Sequence, residues 1–335
     1  MITPRAPQHV AVVARVAESA PDGSRPTPGP IAMLPEPKKV FVDAVRAGGG
    51  EVSPVSAETR GLVWLSSDDP SALVATLDQF PSIEWVQLPW AGVDAFAEVL
   101  RPAAAGPTPL WTSAKGAYSQ PVAEHALLLT LALLRELPVS VVATSWSKVA
   151  LGRSLFGLDV VIVGAGGIAV ELIRLLQPFG VTVTVVRRSP VNVAGADLTV
   201  TVDRLREVLP SADVVVVAAA LTESTAQLFG DDEFAVMRPE SVLVNIARGG
   251  LVDTDSLARA LRVGAIAGAG LDVTDPEPLP DGHPLWLEPR AIITSHNADT
   301  PEMTAPLLAE RIRLNVRAFL GDGRFIGVVN PADGY

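Results

Sequence analysis

The sequence contains 335 residues, 48% of them hydrophobic and 19% charged, so it is long enough and apolar enough to form two domains with separate cores. Its formal net charge of −11, without any cluster of Lys and Arg, excludes a function that depends on binding nucleic-acid phosphates. The absence of cysteine excludes disulfides, thiolate catalysis and thiolate metal sites.

The first 29 residues give only weak structural signals. HVAVVARVA fits a strand, and the following SAPDGSRPTPGP has the composition of turns and linkers. No basic stretch leads into a sustained apolar core, so we expect no export signal and a cytoplasmic location. The most apolar segment, residues 126–134, is far shorter than the about 20 residues that span a bilayer, so no membrane is expected as a partner.

Strands and helices alternate from Pro30 to Leu88. The predicted elements are a strand at IAML, a helix from Lys38 to Ala47, a strand at GLVWLS, a helix from Pro70 to Gln79 and a strand from Ile83 to Leu88. This alternation predicts a small α/β domain with a parallel sheet. The last strand leads into the turn PWAGVD, whose exposed amides are suited to holding an anion.

A leucine-rich helix is predicted from Pro121 to about Leu137. Proline is favoured as the first residue of a helix, because its missing N–H needs no partner there. Leucines lie on nearly every face of this segment, so the helix should be buried on several sides, between domains or between subunits.

Residues 158–176, LDVVIVGAGGIAVELIRLL, predict a strand, a tight turn and a helix. Val160 to Val163 have no polar face and fit a fully buried parallel strand. Gly164, Gly166 and Gly167 then permit a turn whose amides, with the helix N-terminus, would face the pyrophosphate of a dinucleotide. Alone, the pattern also fits a tight strand-to-helix connection that binds nothing.

From Leu158 onward the alternation is regular. Strands are predicted at 158–163, 181–186, 213–218, 241–246, 266–271 and 290–294, with helices at 167–177, 203–209, 231–237 and 254–263. Six strands in this arrangement predict a doubly wound sheet whose ligands bind beyond the carboxyl ends of the strands. A last amphipathic helix is predicted from Pro301 to Leu320.

Arg248, Glu277 and His296 each lie at or just beyond the end of a predicted strand. Each also fits a structural role alone, so only their joint placement points to a catalytic site. A guanidinium binds the carboxylate and ketone edge of a 2-keto acid, an imidazole supplies the proton as hydride reaches the carbonyl carbon, and a carboxylate orients that imidazole. The set therefore predicts hydride transfer to a 2-keto acid, with no metal site.

The cofactor is predicted from the residues that follow the second strand of this domain. An NAD site usually has an acidic residue about 20 positions beyond the glycines, which contacts the ribose 2′-hydroxyl. No acid occurs between Glu171 and Asp197, and Arg187, Arg188 and Ser189 are suited to a 2′-phosphate instead. We therefore expect NADP(H) to be preferred, with NAD as the alternative cofactor. The competing interpretation is that the two arginines are solvated loop residues that bind no ligand.

Several motifs together resemble the D-isomer-specific 2-hydroxyacid dehydrogenase family, including its glyoxylate/hydroxypyruvate reductases. They are VIVGAGGIA, VNIARGGLVD, GLDVTDPEPLP followed by HPLW, and ITSHNA, with WAGVDAF and VAEHALLLTLALLREL earlier in the chain. Their order and spacing match the family over nearly the whole chain from Pro30. Two departures are Ser295, where the family usually has proline before the histidine, and Ala220, where it usually has proline before Leu221.

The resemblance implies a fold of two Rossmann-like, doubly wound parallel-sheet α/β domains separated by a cleft. Residues 1–118, completed by 297–335, would form the substrate domain, and residues 119–296 the dinucleotide-binding domain. Family members commonly dimerise through the latter, so we expect a homodimer in which the apolar helix from Pro121 takes part.

The resemblance also assigns site residues. Arg248, Glu277 and His296 would be catalytic, and Asp272 would contact the nicotinamide carboxamide. Amides near Ala91 and Gly92 would bind the substrate carboxylate, beside Trp90. The expected cofactor-binding residues are Gly164, Gly166, Gly167, Ile168, Arg187, Arg188, Ser189, Ala220, Thr225, Ala247 and Asp272.

The predicted function is that of an NAD(P)-dependent D-2-hydroxyacid dehydrogenase or 2-keto acid reductase. Glyoxylate, hydroxypyruvate and pyruvate all fit as the small-molecule substrate. The alternative is a nucleotide-binding corepressor-like interaction protein without significant turnover, because such proteins keep the same three side chains.

Overall fold

The computed structural model describes residues 25–66, 69–100 and 108–331, so the N-terminal strand suggested at HVAVVARVA lies outside the described residues. The strands are β1 (Ile31–Leu34), β2 (Gly61–Trp64), β3 (Trp85–Gln87), β4 (Leu110–Thr112), β5 (Asp159–Val163), β6 (Thr182–Arg187), β7 (Leu198–Thr201), β8 (Val214–Val217), β9 (Val242–Asn245), β10 (Gly268–Leu271) and β11 (Ala291–Ile293). The helices are α1 (Lys39–Ala47), α2 (Pro70–Gln79), α3 (Ala97–Leu100), α4 (Ser119–Leu134), α5 (Leu137–Val141), α6 (Gly167–Leu176), α7 (Leu205–Val208), α8 (Asp231–Val236), α9 (Thr254–Val263) and α10 (Pro301–Leu320).

The chain divides into two compact units. Of the described residues, those up to Tyr118 and those from Pro301 onward form the first unit, and Ser119–Thr300 form the second. The segment from Asn297 to Thr300, which the sequence analysis assigned to the first domain, therefore belongs to the second unit.

The first unit contains a parallel sheet in the order β1-β2-β3-β4. Val52 forms an isolated parallel bridge with Ile31 on the opposite edge of β1, so the chain passes first to one side of β1 and then to the other. This reversal is the mark of a doubly wound sheet and confirms the predicted class. Strand β4 was not predicted, because LWT is short and stands between proline-rich and polar segments.

The core of the first unit is formed on both faces of this sheet. Its buried apolar cluster contains Leu62, Leu73, Val86, Leu88, Phe96 and Trp111, among others. The second face carries Trp85, whose ring packs on Phe319 of α10 with centroids 5.0 Å apart. Helix α10 spans the residues predicted for it and covers the sheet with Ile312 and Val316, which are fully buried.

The second unit contains a seven-stranded sheet in the order β11-β10-β9-β8-β5-β6-β7, and every pair of neighbours is parallel. From β5 the chain moves outward through β6 and β7, then returns to the other side of β5 with β8. The reversal between β5 and β8 makes a crevice at the carboxyl ends of these strands, where dinucleotides bind in folds of this kind.

The predicted count of six strands in this unit was wrong, since the structure has β7 as an edge strand. In its sequence LTVT, Leu198 is exposed, both threonines are half-buried and only Val200 is fully buried. The central strands are easier to recognise, because β8 consists of four buried valines and β9 is buried throughout.

Helix α4 begins at Ser119, two residues before the predicted start at Pro121, and ends at Leu134. Glu136 adopts a left-handed backbone conformation (φ 52°), which breaks the predicted helix before α5. Leu129 and Leu133 of α4 pack closely on the glycines of β10, Gly270 and Gly268. The helix is therefore buried largely against its own unit.

None of the helices among the described residues combines the length and apolar character that a membrane crossing requires.

Candidate active site

Three adjacent strands bring site residues to one edge of the second unit's sheet. Asn245 of β9, Leu271 of β10 and Ile293 of β11 form one row across the sheet. The predicted residues lie just beyond this row. Arg248 follows β9 by three positions, Asp272 follows β10 directly, and His296 follows β11 by three positions.

Glu277 and His296 form a direct pair. The Nδ1 atom of His296 lies 2.6 Å from Oε1 of Glu277. The two side chains are 52% and 43% exposed, so packing alone does not hold them. A carboxylate at Nδ1 leaves Nε2 as the nitrogen available to a substrate. The pair therefore has the geometry of an oriented acid–base imidazole.

His296 has a left-handed backbone conformation with φ 51°, which is rare for a residue other than glycine. Its amide donates to the carbonyl of Asp272 at 2.8 Å and to that of Thr294 at 3.0 Å. The side chain of Asp272 accepts from the amides of Asn297 at 2.8 Å and Ala298 at 3.0 Å. Asp272 thus binds the loop that follows β11, residues 294–300, which is called the histidine loop below.

Asp272 is almost fully buried and has two further neighbours. The hydroxyl of Thr294 donates to its Oδ1 atom at 2.5 Å, and Nε2 of His125 lies 3.5 Å from the same oxygen. The sequence pattern places His125 only within a buried helix. Its hydrogen-bond partner, Thr294, is 169 residues away, and no local pattern signals such a contact.

Arg248 is positioned by its own strand and turn. The side chain of Asn245 donates to the carbonyl of Arg248 at 2.9 Å and accepts from the amide of Ala247 at 3.1 Å. The guanidinium donates to the carbonyl of Ala247 at 2.7 Å. A Cβ on Gly249 would lie 1.9 Å from the carbonyl oxygen of Thr274, so the ARGG turn requires glycine there.

The glycine turn lies at the switch point of the sheet, after β5. Gly164 has φ 116°, and a Cβ there would lie 2.4 Å from the carbonyl oxygen of Ala218. A Cβ on Gly166 would meet nothing within 4 Å, so this face of the turn is open. Gly166 has no side chain to cap α6, which begins at Gly167 and continues with Ile168. The first amides of the helix are therefore suited to an anionic ligand.

The two loops beside this turn carry the other predicted cofactor residues. Val163 aligns with Val186 of β6, so Arg187, Arg188 and Ser189 follow at the same edge. Arg188 is exposed and Arg187 is half-buried. The guanidinium of Arg187 donates to the carbonyl of Val191 within its own turn at 3.1 Å.

The loop after β8, on the other side of β5, is held by threonine hydroxyls. The hydroxyl of Thr225 donates to the carbonyl of Ala220 at 2.8 Å and accepts from the amide of Thr222. Ala220 and Thr225 thus belong to one hydrogen-bonded turn beyond the strand that pairs with β5.

The predicted carboxylate turn lies in the first unit, after β3. Tyr118 donates its hydroxyl to the carbonyl of Pro89 at 2.6 Å, and its ring meets that of Trp90 edge-on. The carbonyl of Trp90 accepts from the amide of Ala114 at 3.0 Å. Among the described residues, the amides of Ala91 and Gly92 have no hydrogen-bond acceptor, so this fixed turn has donors to offer.

Asp299 is a titratable residue in the histidine loop that the sequence analysis did not single out. Burial raises its pKa from 3.8 to about 6, despite the opposing influence of His296, and the nearby Asp272 raises the pKa further. A carboxyl group with a pKa of about 6, that of Asp299, therefore lies near the Glu277–His296 pair.

A family model described as the NAD-binding domain of D-isomer specific 2-hydroxyacid dehydrogenases matches residues 126–298. The chain is also 36% identical to an uncharacterized protein in the proB 3′ region of Corynebacterium melassecola, over 87% of this chain and 95% of that protein. It is 38% identical to a human glyoxylate reductase/hydroxypyruvate reductase, over 52% of this chain. That match spans only 56% of the human protein.

A solved structure is similar to this chain over most of its length. The D-isomer specific 2-hydroxyacid dehydrogenase from Xanthobacter autotrophicus Py2, solved in complex with NADPH and MES, superposes with a TM-score of 0.78 at 26% identity. The match covers 92% of this chain and all of the other chain.

Proposed function

The chain belongs to the D-isomer specific 2-hydroxyacid dehydrogenase family, and on that premise we propose that it is an NADP(H)-preferring reductase of a small 2-keto acid. The observation that carries the proposal is the 2.6 Å contact between Glu277 and His296 at the carboxyl edge of the dinucleotide-type sheet. The same edge carries Arg248, which follows strand β9.

The residues at the switch point of the sheet fit a dinucleotide. The open face at Gly166 and the uncapped start of α6 would accept its pyrophosphate. Ala220 and Thr225 on one side, and Arg187, Arg188 and Ser189 on the other, would flank it, with Ala247 and Asp272 nearer the reacting end. When bound, the cofactor supplies the hydride.

The protein's own groups would then perform the remaining chemistry. The guanidinium of Arg248 would bind the carboxylate and ketone oxygen of the substrate with parallel hydrogen bonds, and the Ala91 and Gly92 amides would hold the carboxylate. His296 would transfer a proton from Nε2 to the ketone oxygen as negative charge develops there. Glu277 would keep the imidazole in the required orientation.

The cofactor preference rests on the charge of the loop after β6. A 2′-phosphate would be recognised by guanidinium groups, and Arg188 is the better candidate because it is exposed whereas Arg187 is half-buried. An Arg188→Ala variant should lose affinity for NADPH about tenfold or more while its KM for NADH changes little. Equal efficiency of the unaltered protein with NADH would refute the preference.

The central experiment is a turnover assay. NADPH oxidation should be measured with glyoxylate, hydroxypyruvate and pyruvate, in the unaltered protein and in a His296→Ala variant. We expect turnover with at least one acid, reduced by about 100-fold or more in the variant, which should still bind NADPH. Nucleotide binding without turnover of any acid would instead favour the corepressor-like alternative.

A homodimer forms part of the proposal. It is supported by the run of exposed large apolar side chains in residues 137–156, immediately after α4.

A further inference from the structure

We propose that His125 is a positioning residue for His296, acting through Thr294 and Asp272. This inference rests on the proposed function, in which His296 donates the proton. It adds a residue from a distant helix to the site and gives a reason for a histidine in an otherwise leucine-rich segment.

The contacts form one continuous path. The Nε2 atom of His125 lies 3.0 Å from Oγ1 of Thr294, and that hydroxyl lies 2.5 Å from Oδ1 of Asp272. Asp272 accepts from the amides of Asn297 and Ala298, one at each carboxylate oxygen. The path therefore runs from helix α4, past the end of β11, to the residues that directly follow His296.

The proton positions along this path follow from the groups involved. A carboxylate only accepts hydrogen bonds, so the single hydroxyl proton of Thr294 must point to Asp272. The oxygen of Thr294 then has only lone pairs to offer His125. The Nε2 atom of His125 must therefore carry a hydrogen and act as the donor.

This direction gives His125 a specific task. Its N–H fixes the hydroxyl of Thr294, which fixes the carboxylate of Asp272, which binds the loop after His296. The side chains of His125 and Asp272 are 13% and 1% exposed, so water does not readily replace either partner.

The histidine loop needs such a support. The backbone of His296 is in a sparsely populated conformation, which surrounding contacts must impose. The Glu277–His296 pair is about half exposed and does not supply that rigidity. A displacement of the imidazole by about 1 Å can lower a reaction rate by about 100-fold.

The test uses two substitutions at each position. His125→Gln keeps an N–H close to the place of Nε2, whereas His125→Leu removes it. Thr294→Ser keeps the hydroxyl, whereas Thr294→Val removes it. The matched control is Glu124→Ala, which changes the exposed neighbour of His125 on the same helix.

We expect His125→Leu and Thr294→Val to lower kcat for 2-keto acid reduction by about 10-fold or more. The KM for NADPH and the KM for the 2-keto acid should each change by less than about threefold. His125→Gln and Thr294→Ser should retain most of the activity. The double variant should be no slower than the slower single variant, because both residues act along one path. Additive losses, or a Gln variant as slow as the Leu variant, would overturn the proposal.

A second measurement does not depend on turnover. Hydrogen exchange of the peptide containing residues 296–299 should be faster in His125→Leu than in the unaltered protein, and unchanged in His125→Gln and Glu124→Ala. Unchanged exchange in the Leu variant would refute the positioning role, even with activity reduced. If no acid is turned over by the unaltered protein, the proposed function fails, and the exchange experiment still decides whether His125 holds the loop.

Discussion

Two glycines of the same turn have different physical requirements. Gly164 combines φ 116° with a 2.4 Å approach of its would-be Cβ to the carbonyl oxygen of Ala218. Gly166 has an extended backbone and open space where a Cβ would stand. The first glycine is therefore needed by the fold, and the second has room that a ligand would use.

Alanine substitutions should separate these two roles. Gly164→Ala should lower the free energy of unfolding by about 2 kcal/mol or more, because both the backbone and the carbonyl contact are strained. Gly166→Ala should leave the melting temperature nearly unchanged and raise the KM for NADPH about tenfold, since the methyl group would meet the pyrophosphate. Thermal denaturation and steady-state kinetics test the pair. An unchanged KM for NADPH in the Gly166→Ala protein would show that the turn does not contact the cofactor.

Asp299 should make stability depend on pH. Its pKa of about 6 lies above the ordinary 3.8, so the folded protein holds this proton more tightly than the unfolded chain does. The stability that Asp299 contributes is therefore highest below 3.8 and falls as the pH rises through about 6. Nearby His296 opposes this shift and Asp272 reinforces it.

An Asp299→Asn variant should melt higher than the unaltered protein at pH 8, by roughly 2–4 °C, and equally at pH 4. Melting curves by differential scanning fluorimetry across this range provide the measurement. The control is Asp281→Asn, which changes an exposed carboxylate of the same unit. Equal melting of the Asp299→Asn and unaltered proteins at pH 8 would show that burial does not destabilise this carboxylate.

From the sequence, site residues could be predicted only where a side chain suited to catalysis follows the end of a predicted strand. Glu277 and His296 stand beside strand ends, and their side chains are 2.6 Å apart in the structure. His125 and Asp299 escaped notice for a physical reason. The burial of Asp299, and the contact of His125 with the end of β11, depend on tertiary packing that no local spacing encodes.

At the scale of elements, the first unit is joined by a buried polar network as well as by its apolar core. The side chain of Gln87 on β3 accepts from Thr112 on β4 at 2.9 Å and from Asn315 on α10 at 2.7 Å. Asn315 also donates to the carbonyl of Ile326 and accepts from its amide. The network fixes α10 against the carboxyl ends of the strands that precede the Trp90 turn.

Arg311 adds a second connection from α10. Its guanidinium, 3% exposed as a residue, donates to the carbonyls of Ser113 at 2.6 Å and Lys115 at 2.8 Å. Burial lowers its pKa to about 10, so the group remains charged at neutral pH. The sequence pattern predicted α10 as an amphipathic helix, yet it gave no sign that polar side chains occupy the buried face.

Replacement of Arg311 by Met should keep most of the volume and remove the hydrogen bonds to the buried carbonyl of Ser113 and the partly buried carbonyl of Lys115. We expect this to lower the stability of the first unit by about 2–4 kcal/mol. Arg313→Met is the control, because Arg313 forms a partly exposed pair with Glu310 one turn earlier and should matter by less than about 1 kcal/mol. Urea denaturation followed by tryptophan fluorescence should resolve the difference. Equal effects of the two substitutions would show that the carbonyl contacts of Arg311 are not stabilising.

For the whole molecule, the distribution of exposed apolar surface is the feature that bears on assembly. The sequence pattern predicts that α4 takes part in an interface, and three of its six leucines are buried within the second unit, whereas Leu128 is 56% exposed. A longer run of exposed apolar side chains follows α4. They are Leu137, Val139, Val141, Val142, Trp146, Val149, Leu151 and Phe156. A run of this kind on a protein surface is typical of a region that another chain covers.

The proposed dimer should therefore depend on this segment. Val142 and Trp146 are 73% and 93% exposed, so Val142→Asp and Trp146→Asp would each place an unpaired charge in a subunit interface without disturbing the core. Light scattering coupled to gel filtration should give twice the chain mass for the unaltered protein and the chain mass for the double variant. The melting temperature of the monomeric double variant should be similar to that of the unaltered protein. Leu287→Asp changes a residue that is 84% exposed elsewhere in the same unit, and it should remain dimeric.

A monomeric unaltered protein at about 50 μM would exclude the dimer, since obligate interfaces of this apolar kind persist far below that concentration. A dimeric double variant would show that the interface lies on another surface.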